Sequence, residues 1–272
     1  MTLKEKVRLY TTSAAIKSVI KVLPKISDER WLSLVKGRVY KLKSKEERDF
    51  LENLLVNLKK ASATKMSGEV RNKVVMNLIN NAMIQGQPKR KAFLDKYGIT
   101  PPNHLVISPT MKCNLKCYGC YAWQYSKKQD LAYDVCNRII DEANDIGIYF
   151  FVITGGEPFV WENFYDFLER HNDSFFQIYT NGTMIDDGVA KKLAKLGNAV
   201  PCISVEGFEE ETRARRGEGT WQKIMSAMDA LKSNGVLFGF YVTATRENND
   251  LVVSEEFIDF FVQKGKIGRA HV

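Results

Sequence analysis

Three cysteines lie close together near the middle of the 272-residue chain, with the spacing C-x3-C-x2-C. Cys113, Cys117 and Cys120 follow a short apolar run, residues 105–108, that is typical of a buried strand. Thiolates this close on one short loop can surround a single polynuclear metal centre. Structural zinc sites and ferredoxin-type [4Fe–4S] clusters use four protein ligands. Three cysteines would therefore leave one iron of such a cluster open to a small molecule.

A second motif, Thr154-Gly155-Gly156-Glu157-Pro158, begins about 35 residues after the last of these cysteines. It comes at the end of another predicted strand, residues 148–154. Adjacent glycines allow the backbone to approach another group closely, because they carry no side chains. Pro158 then fixes its own φ angle and stiffens the exit from the motif. The alternative interpretation is a simple Gly-Gly turn that closes the strand.

The two motifs in this order, each at the end of a predicted strand, resemble those of the radical S-adenosylmethionine (SAM) enzymes, over roughly residues 103–264. The resemblance implies that Cys113, Cys117 and Cys120 ligate a [4Fe–4S] cluster whose open iron binds the methionine part of SAM. It also implies that an electron from the cluster cleaves SAM to a 5′-deoxyadenosyl radical, which abstracts hydrogen from a substrate. A flavodoxin or ferredoxin is the implied low-potential electron donor.

The same resemblance implies SAM contacts at the ends of several strands. The glycine motif is expected to approach the methionine amino group, and an arginine to neutralise the carboxylate. The expected cofactor-binding residues are Tyr118, Gly155, Gly156, Glu157, Thr180, Asn181, Ser204, Glu206 and Arg216. Ordinary alternatives are a turn at Asn181-Gly182 and a solvated basic helix face at Arg216.

Two positions depart from the family pattern. Gly119 stands between Tyr118 and Tyr121, where an aromatic residue is common, although its backbone could still contact adenine. Ser204-Val205-Glu206-Gly207 resembles the Ser-x-Asp-Gly of many peptide-modifying (SPASM-type) members, but with Glu in place of Asp. This pattern favours a peptide substrate, whereas a basic first helix favours a lipid-like one, and the sequence leaves the substrate open.

The alternative function is a non-catalytic Fe–S or zinc-binding protein. Zinc would need a fourth ligand, such as His104, which is not at motif spacing. The intact glycine motif argues against the loss of SAM chemistry. We expect Cys136 and Cys202 to be buried apolar residues, and His171 to end a helix.

The second part of the chain alternates strands with amphipathic helices, which predicts an α/β fold with a parallel sheet covered by helices. Strands are predicted at 104–108, 148–154, 175–180, 199–205 and 236–244, and helices at 131–146, 161–172, 184–196, 209–233 (with a break near 217–219) and 252–264. The resemblance implies a partial (βα)6 TIM-like barrel, of which five units are countable. Sites in such barrels lie at the carboxyl ends of the strands, where the motifs fall.

Residues 1–100 have the periodicity of helices and a strong excess of Lys and Arg, whereas residues 101–272 carry more acidic than basic side chains. We therefore predict a basic helical region, 1–100, before the core at 101–265. A fourth helix over about 68–84 should end at residues 85–88, ahead of a short helix at 91–97. The basic face is either solvated or makes peripheral membrane contact through the first helix. Nucleic-acid binding is not expected, because no aromatic-interleaved basic platform is visible.

The net charge of +8, 44% apolar residues and five cysteines describe an ordinary globular protein in a reducing compartment. With no export signal and no apolar run of about 18 residues, the sequence predicts a cytoplasmic location. Residues 266–272 match a one-frame translation of a sequencing adapter. We interpret them as an artefact and expect the native protein to continue beyond residue 265.

Overall fold

The computed structural model describes residues 66–125 and 130–265, together with Ser27, Glu29, Arg30 and Lys45. The chain divides into two compact units, 1–66 and 67–272, and the second contains both motifs. The basic first helix and the adapter-like residues 266–272 lie outside the described residues. The division of the chain into 1–100, 101–265 and 266–272 stays a prediction.

A parallel sheet forms the centre of the second unit. Within the described residues its strands are β1 (Leu105–Thr110), β2 (Phe150–Gly155), β3 (Phe175–Thr180), β4 (Ala199–Val205) and β5 (Gly239–Val242). Each strand pairs in parallel with the next one along the chain, giving the order β1-β2-β3-β4-β5. This sequential winding is that of a barrel wall, and it confirms the predicted α/β partial barrel.

Helices precede, connect and follow the strands, as the hydrophobic periodicity predicted. They are α1 (Gly68–Val74), α2 (Gly86–Tyr97), α3 (Tyr133–Asp145), α4 (Phe164–Arg170), α5 (Asp187–Leu196), α6 (Glu209–Arg216), α7 (Thr220–Ser233), α8 (Asn249–Val252) and α9 (Glu255–Gly265). The predicted break near 217–219 is confirmed, because Gly217 and Gly219 have φ angles of +97° and +73° between α6 and α7. Of the described helices, none is both long and apolar enough to cross a membrane.

The core lies between the sheet and the helices that cover it. Alternate residues of the central strands, such as Phe151, Phe176 and Ile203, are fully buried there. The rings of Phe151 and Phe176 stack across β2 and β3 with centroids 5.6 Å apart. Burial of each such side chain contributes about 1.5–3 kcal/mol, which holds the strand ends in fixed positions.

The segment before β1 differs from the prediction. It is helical from Gly68 to Tyr97, because a π-helical stretch, Val75–Gln85, joins α1 directly to α2. The expected end at residues 85–88 was wrong. Pro88 lies inside this continuous helix, where its nitrogen cannot donate to the preceding turn. Just before it, the Gly86 N–H bonds to the Asn81 carbonyl in the π pattern.

This helical segment closes the amino-terminal ends of the strands. Asn77 donates from Nδ2 to the carbonyls of Ser174 (2.8 Å) and Asn172 (3.0 Å), just before β3. Before β5, the Gly235 carbonyl accepts from the Ser67 N–H at 2.9 Å. The segment thus satisfies backbone groups at the end of the sheet opposite the motifs.

Replacing the buried Asn77 should therefore destabilise the unit. Asn77→Ala removes the side-chain donor of the buried Ser174 carbonyl and leaves the Asn172 carbonyl with Lys73 Nζ alone. We expect a loss of about 1–3 kcal/mol in the free energy of unfolding. Urea denaturation of the apo protein measures this loss. Asn72→Ala, at an exposed position of α1, is the matched control and should change stability little. Equal stability of the two variants would contradict the capping role.

Candidate metal and cofactor site

The cysteine motif occupies the loop that leaves the carboxyl end of β1. Cys117 is buried, Cys113 and Cys120 are half-buried, and all three are free thiols. The loop turns tightly where the Cys120 N–H donates to the Cys117 carbonyl at 3.2 Å. Gly119 lies in this turn with a φ angle of +70°. The backbone therefore favours glycine at the position where the family often has an aromatic residue.

Hydrogen-bond donors point at two of the sulfur atoms. Cys113 Sγ accepts from the Leu115 N–H at 3.4 Å and from Asn181 Nδ2 at 3.8 Å. Arg216 Nη1 lies 3.9 Å from Cys117 Sγ. Donors in these positions stabilise negative charge on sulfur, which is the form in which cysteine binds iron.

Two of the thiols ionise less readily than a free cysteine when no metal is bound. Burial raises the pKa of both Cys113 and Cys117 above the ordinary value, although the Arg216 guanidinium lowers that of Cys117 in part. A bound iron would deprotonate them, because the metal replaces the proton on a coordinating thiol.

The glycine motif lies directly against the segment that leads into the cysteine loop. The Gly156 N–H donates to the Thr110 carbonyl at 2.9 Å, and the Glu157 N–H donates to the Lys112 carbonyl at 2.8 Å. A Cβ atom on Gly156 would lie 2.0 Å from the Lys112 carbonyl oxygen, and Gly155 has a φ angle of +121°. Both glycines are therefore required by the packing of one backbone on another. Their approach to SAM stays a prediction.

Glu157 is fully buried, and neutral donors hold its carboxylate. Thr180 Oγ1 donates to Oε1 at 2.7 Å, the Asn181 N–H donates to Oε2 at 2.7 Å, and the Phe159 N–H donates to Oε1 at 3.3 Å. Burial raises the pKa of Glu157, and these hydrogen bonds oppose that shift. The side chains of Glu157 and Thr180 thus join the end of β2 to the end of β3.

Asn181 connects the loop after β3 to the cysteine loop. Its Nδ2 donates to Asn114 Oδ1 at 2.8 Å, and its Oδ1 accepts from the N–H of Thr183 at 2.9 Å. Asn114 Nδ2 in turn donates to Thr183 Oγ1 at 2.8 Å. Sequence reasoning selected Asn181 but missed Asn114 and Thr183. Both are polar residues beside a motif, and this was the only sign of their role in the sequence. Polar loop residues are too common to be selected on that ground alone.

Glu206, at the end of β4, is buried and pairs with two arginines of α6. Its Oε1 accepts from Arg215 Nη1 at 2.6 Å and from Arg216 Nε at 2.9 Å, and Arg216 Nη2 also bonds to this oxygen. Glu206 Oε2 is buried with no hydrogen-bond partner among the described residues. The structure thus brings together Glu206 and Arg216, both expected as SAM contacts, and adds Arg215, which sequence reasoning did not select.

Arg215 also fixes the cysteine loop. The Tyr118 N–H donates to the Arg215 carbonyl at 2.9 Å, and Arg215 Nε donates to the Tyr118 carbonyl at 3.2 Å. Between the loop and the end of α6 lies a cavity of about 660 Å³, lined by Cys117, Cys120 and both arginines among others. The Tyr118 side chain borders this cavity and is 84% exposed.

The other selected residues take ordinary positions. Ser204 is half-buried on β4, opposite Tyr241 of β5. Cys136 and Cys202 are buried, and burial raises the pKa of Cys202 to about 12. His171 follows the last residue of α4, as expected, and its Nε2 lies 2.9 Å from Asn137 Oδ1.

The family model of the Radical SAM superfamily matches residues 107–258, which is more than half of the chain. The chain belongs to the Radical SAM superfamily. Members of this family use a [4Fe–4S] cluster and SAM. The match begins within β1 and includes both motifs and the whole of β2 to β5.

Individual relatives match over part of their length. The chain is 31% identical over 176 residues to an uncharacterised protein of Methanocaldococcus jannaschii, covering 60% of this chain and 59% of that protein. It is 31% identical over 159 residues to mycofactocin maturase MftC of Mycolicibacterium smegmatis, covering 56% of this chain and 40% of that one. The crystal structure of Streptococcus suis SuiB has a TM-score of 0.56 at 25% identity, covering 68% of this chain and 42% of SuiB. The chain thus spans about half the length of the curated relatives it matches.

The residues present fit a cluster and SAM. The donor set consists of three soft thiols on one loop, with nitrogen donors directed at Cys113 and Cys117. Beside them lies the cavity of about 660 Å³ that Cys117, Cys120 and both arginines line. A positive guanidinium group next to Cys117 also suits an anionic centre.

The packing at Gly156 predicts a specific loss of cluster binding. Gly156→Ala should displace Lys112 and with it Cys113, so that the iron bound after anaerobic reconstitution falls several-fold. Iron and sulfide analysis measures this, with circular dichroism to check folding. Gly68→Ala is the matched control, because a Cβ atom there has no atom within 4 Å, and it should bind iron normally. Full iron content in Gly156→Ala would show that the loop does not depend on this contact.

Proposed function

We propose that this chain holds a [4Fe–4S] cluster through Cys113, Cys117 and Cys120 and uses it to cleave SAM reductively. The resulting 5′-deoxyadenosyl radical would abstract hydrogen from a substrate. One observation carries the proposal: the glycine motif is hydrogen-bonded to the segment that leads into the cysteine loop, at the carboxyl ends of β1 and β2. This contact supports the proposal, because it brings two motifs about 35 residues apart in the sequence to the same edge of the sheet.

The side chains of the site would bind the cluster and orient SAM beside it. When bound, the cluster supplies a low-potential electron and an open iron for the methionine part of SAM. The three thiolates hold it, while Asn181 and Arg216 donate hydrogen bonds toward the sulfurs of Cys113 and Cys117. Pro158, at the end of the glycine motif, and Phe159 after it are buried, and Phe159 packs into the core, which anchors the motif to the sheet.

Apart from the ion-paired Glu206 and Arg216, the expected SAM contacts fall into positioning residues and direct contacts. The side chains of Glu157 and Thr180 bond to each other, so we propose that they position the backbone at the ends of β2 and β3. The Ser204 hydroxyl and the exposed Tyr118 ring have no such internal pairing among the described contacts, and we propose them as direct contacts. We propose the same for the backbone of Gly155 and Gly156, although the Gly156 N–H already donates to the Thr110 carbonyl. The Asn181 side chain would act through the loop that it ties to Asn114.

We propose a flavodoxin or ferredoxin as the electron donor, only because such a cluster needs a low-potential electron. A peptide or lipid-like substrate and a cytoplasmic location stay predictions from the sequence. So does peripheral membrane contact through the basic first helix.

Electron paramagnetic resonance (EPR) of anaerobically reconstituted, dithionite-reduced protein tests the proposal. We expect a [4Fe–4S]⁺ signal that changes shape when SAM is added, and 5′-deoxyadenosine among the products. Cys117→Ala should lose most of the cluster. Cys136→Ala, which changes a buried cysteine on α3 outside the motif, is the control and should retain it. Bound zinc without a cluster, or a cluster indifferent to SAM, would favour the non-catalytic alternative.

A further inference from the structure

Glu206 is the most unusual charged group near the proposed cluster. Its side chain is 2% exposed, and all of its described hydrogen bonds to side chains go to one oxygen, Oε1. The Asn248 amide fixes the backbone there by donating to the Glu206 carbonyl at 2.7 Å. A buried carboxylate held in this way cannot move to another partner without loss of its ion pairs.

The two arginines connect the Glu206 carboxylate to the cysteine loop. Arg216 is 9% exposed and lies 3.9 Å from Cys117 Sγ through Nη1. Arg215 is 20% exposed and joins the backbone of Tyr118 through its own carbonyl and Nε. Both guanidinium groups therefore stand between Glu206 and the segment that connects Cys117 to Cys120.

The charges around Cys117 do not cancel. One carboxylate faces two guanidinium groups, which leaves a net positive charge beside the thiol. Without the arginines, the carboxyl end of α6 would present the negative end of its dipole to this segment. The arginines reverse that sign at a largely buried position, where charges act more strongly than in water.

We infer that Glu206 is a positioning residue that sets the reduction potential of the cluster through Arg215 and Arg216. It fixes the arginines against the cysteine loop, and it limits the positive charge beside Cys117. This inference rests on the proposed function. In this inference Glu206 acts through its ion pairs with the two arginines, whereas the family resemblance implied that it contacts SAM.

The test is the midpoint potential of the SAM-free cluster, [4Fe–4S]²⁺ plus one electron to [4Fe–4S]⁺, in an EPR-monitored redox titration. Glu206→Gln removes a negative charge and should make the potential more positive. Arg216→Gln removes a positive charge and should make it more negative. Each single change should alter the ratio of reduced to oxidised cluster at fixed potential several-fold. The double variant restores the charge balance and should return toward the unmodified protein.

Arg213→Gln is the matched control. It removes the same charge from the same helix at a side chain that is 52% exposed, so screening by water should leave the potential unchanged. If Glu206→Gln fails to fold, Arg215→Gln gives a second test, with the shift again toward a more negative potential.

An unchanged SAM-free potential and EPR spectrum in these variants, with only the response to SAM altered, would overturn the inference and make Glu206 a SAM ligand. That result would leave the proposed function intact. Failure of the unmodified protein to assemble a cluster would overturn both. The two failures are therefore distinguishable in one set of samples.

Discussion

The contact between the end of β2 and the exit of β1 is the constraint on which the rest of the site depends. Here the Gly156 and Glu157 N–H groups donate to the carbonyls of Thr110 and Lys112. The distance leaves no room for a side chain at Gly156. The pairing of β1 with β2 shifts register between Ile107 and Thr110, and a shift of this kind redirects the chain. The start of the cysteine loop is thus fixed by main-chain bonds that need no metal.

Two buried carboxylates lie at the same edge of the sheet, Glu157 after β2 and Glu206 after β4. Different kinds of hydrogen-bond donor surround them. Glu157 receives only uncharged donors among its described hydrogen bonds, so it adds rigidity at the ends of β2 and β3. Glu206 receives two guanidinium groups, so its charge is more than compensated. A low-dielectric environment enlarges the effect of each charge. Glu206 and its two arginines act on the pKa of Cys117, and Glu157 acts on that of Cys113.

Hydrophobic periodicity was sufficient to predict the strands, because each short apolar run is buried against helices and has few alternative structures. Motif spacing was sufficient to place the cysteines and glycines at strand ends. The uninterrupted helix at Gly68–Tyr97 was not predictable in this way, since Gln85-Gly86-Gln87-Pro88 has the composition of a helix end. The π-helical stretch and the position of Pro88 depend on tertiary contacts with the strand ends, such as those of Asn77, and a sequence pattern does not show such contacts. Arg215 was missed for a related reason: its neighbour Arg216 has the same residue type, and only the fold distinguishes their partners.

The cysteine loop is held at each of its intervals by a different part of the sheet. Lys112, before Cys113, is bonded to the glycine motif after β2. Asn114, between the first two cysteines, is bonded to Asn181 after β3. Tyr118, between the last two, is bonded to Arg215 of α6, which Glu206 anchors to β4. The departures at Gly119 and Glu206 fit this scheme, because a glycine permits the tight turn beside Tyr118 and the longer acidic side chain reaches α6. The loop thus depends on backbone anchors and buried ion pairs, and side-chain packing at Gly119 is not needed to shape it.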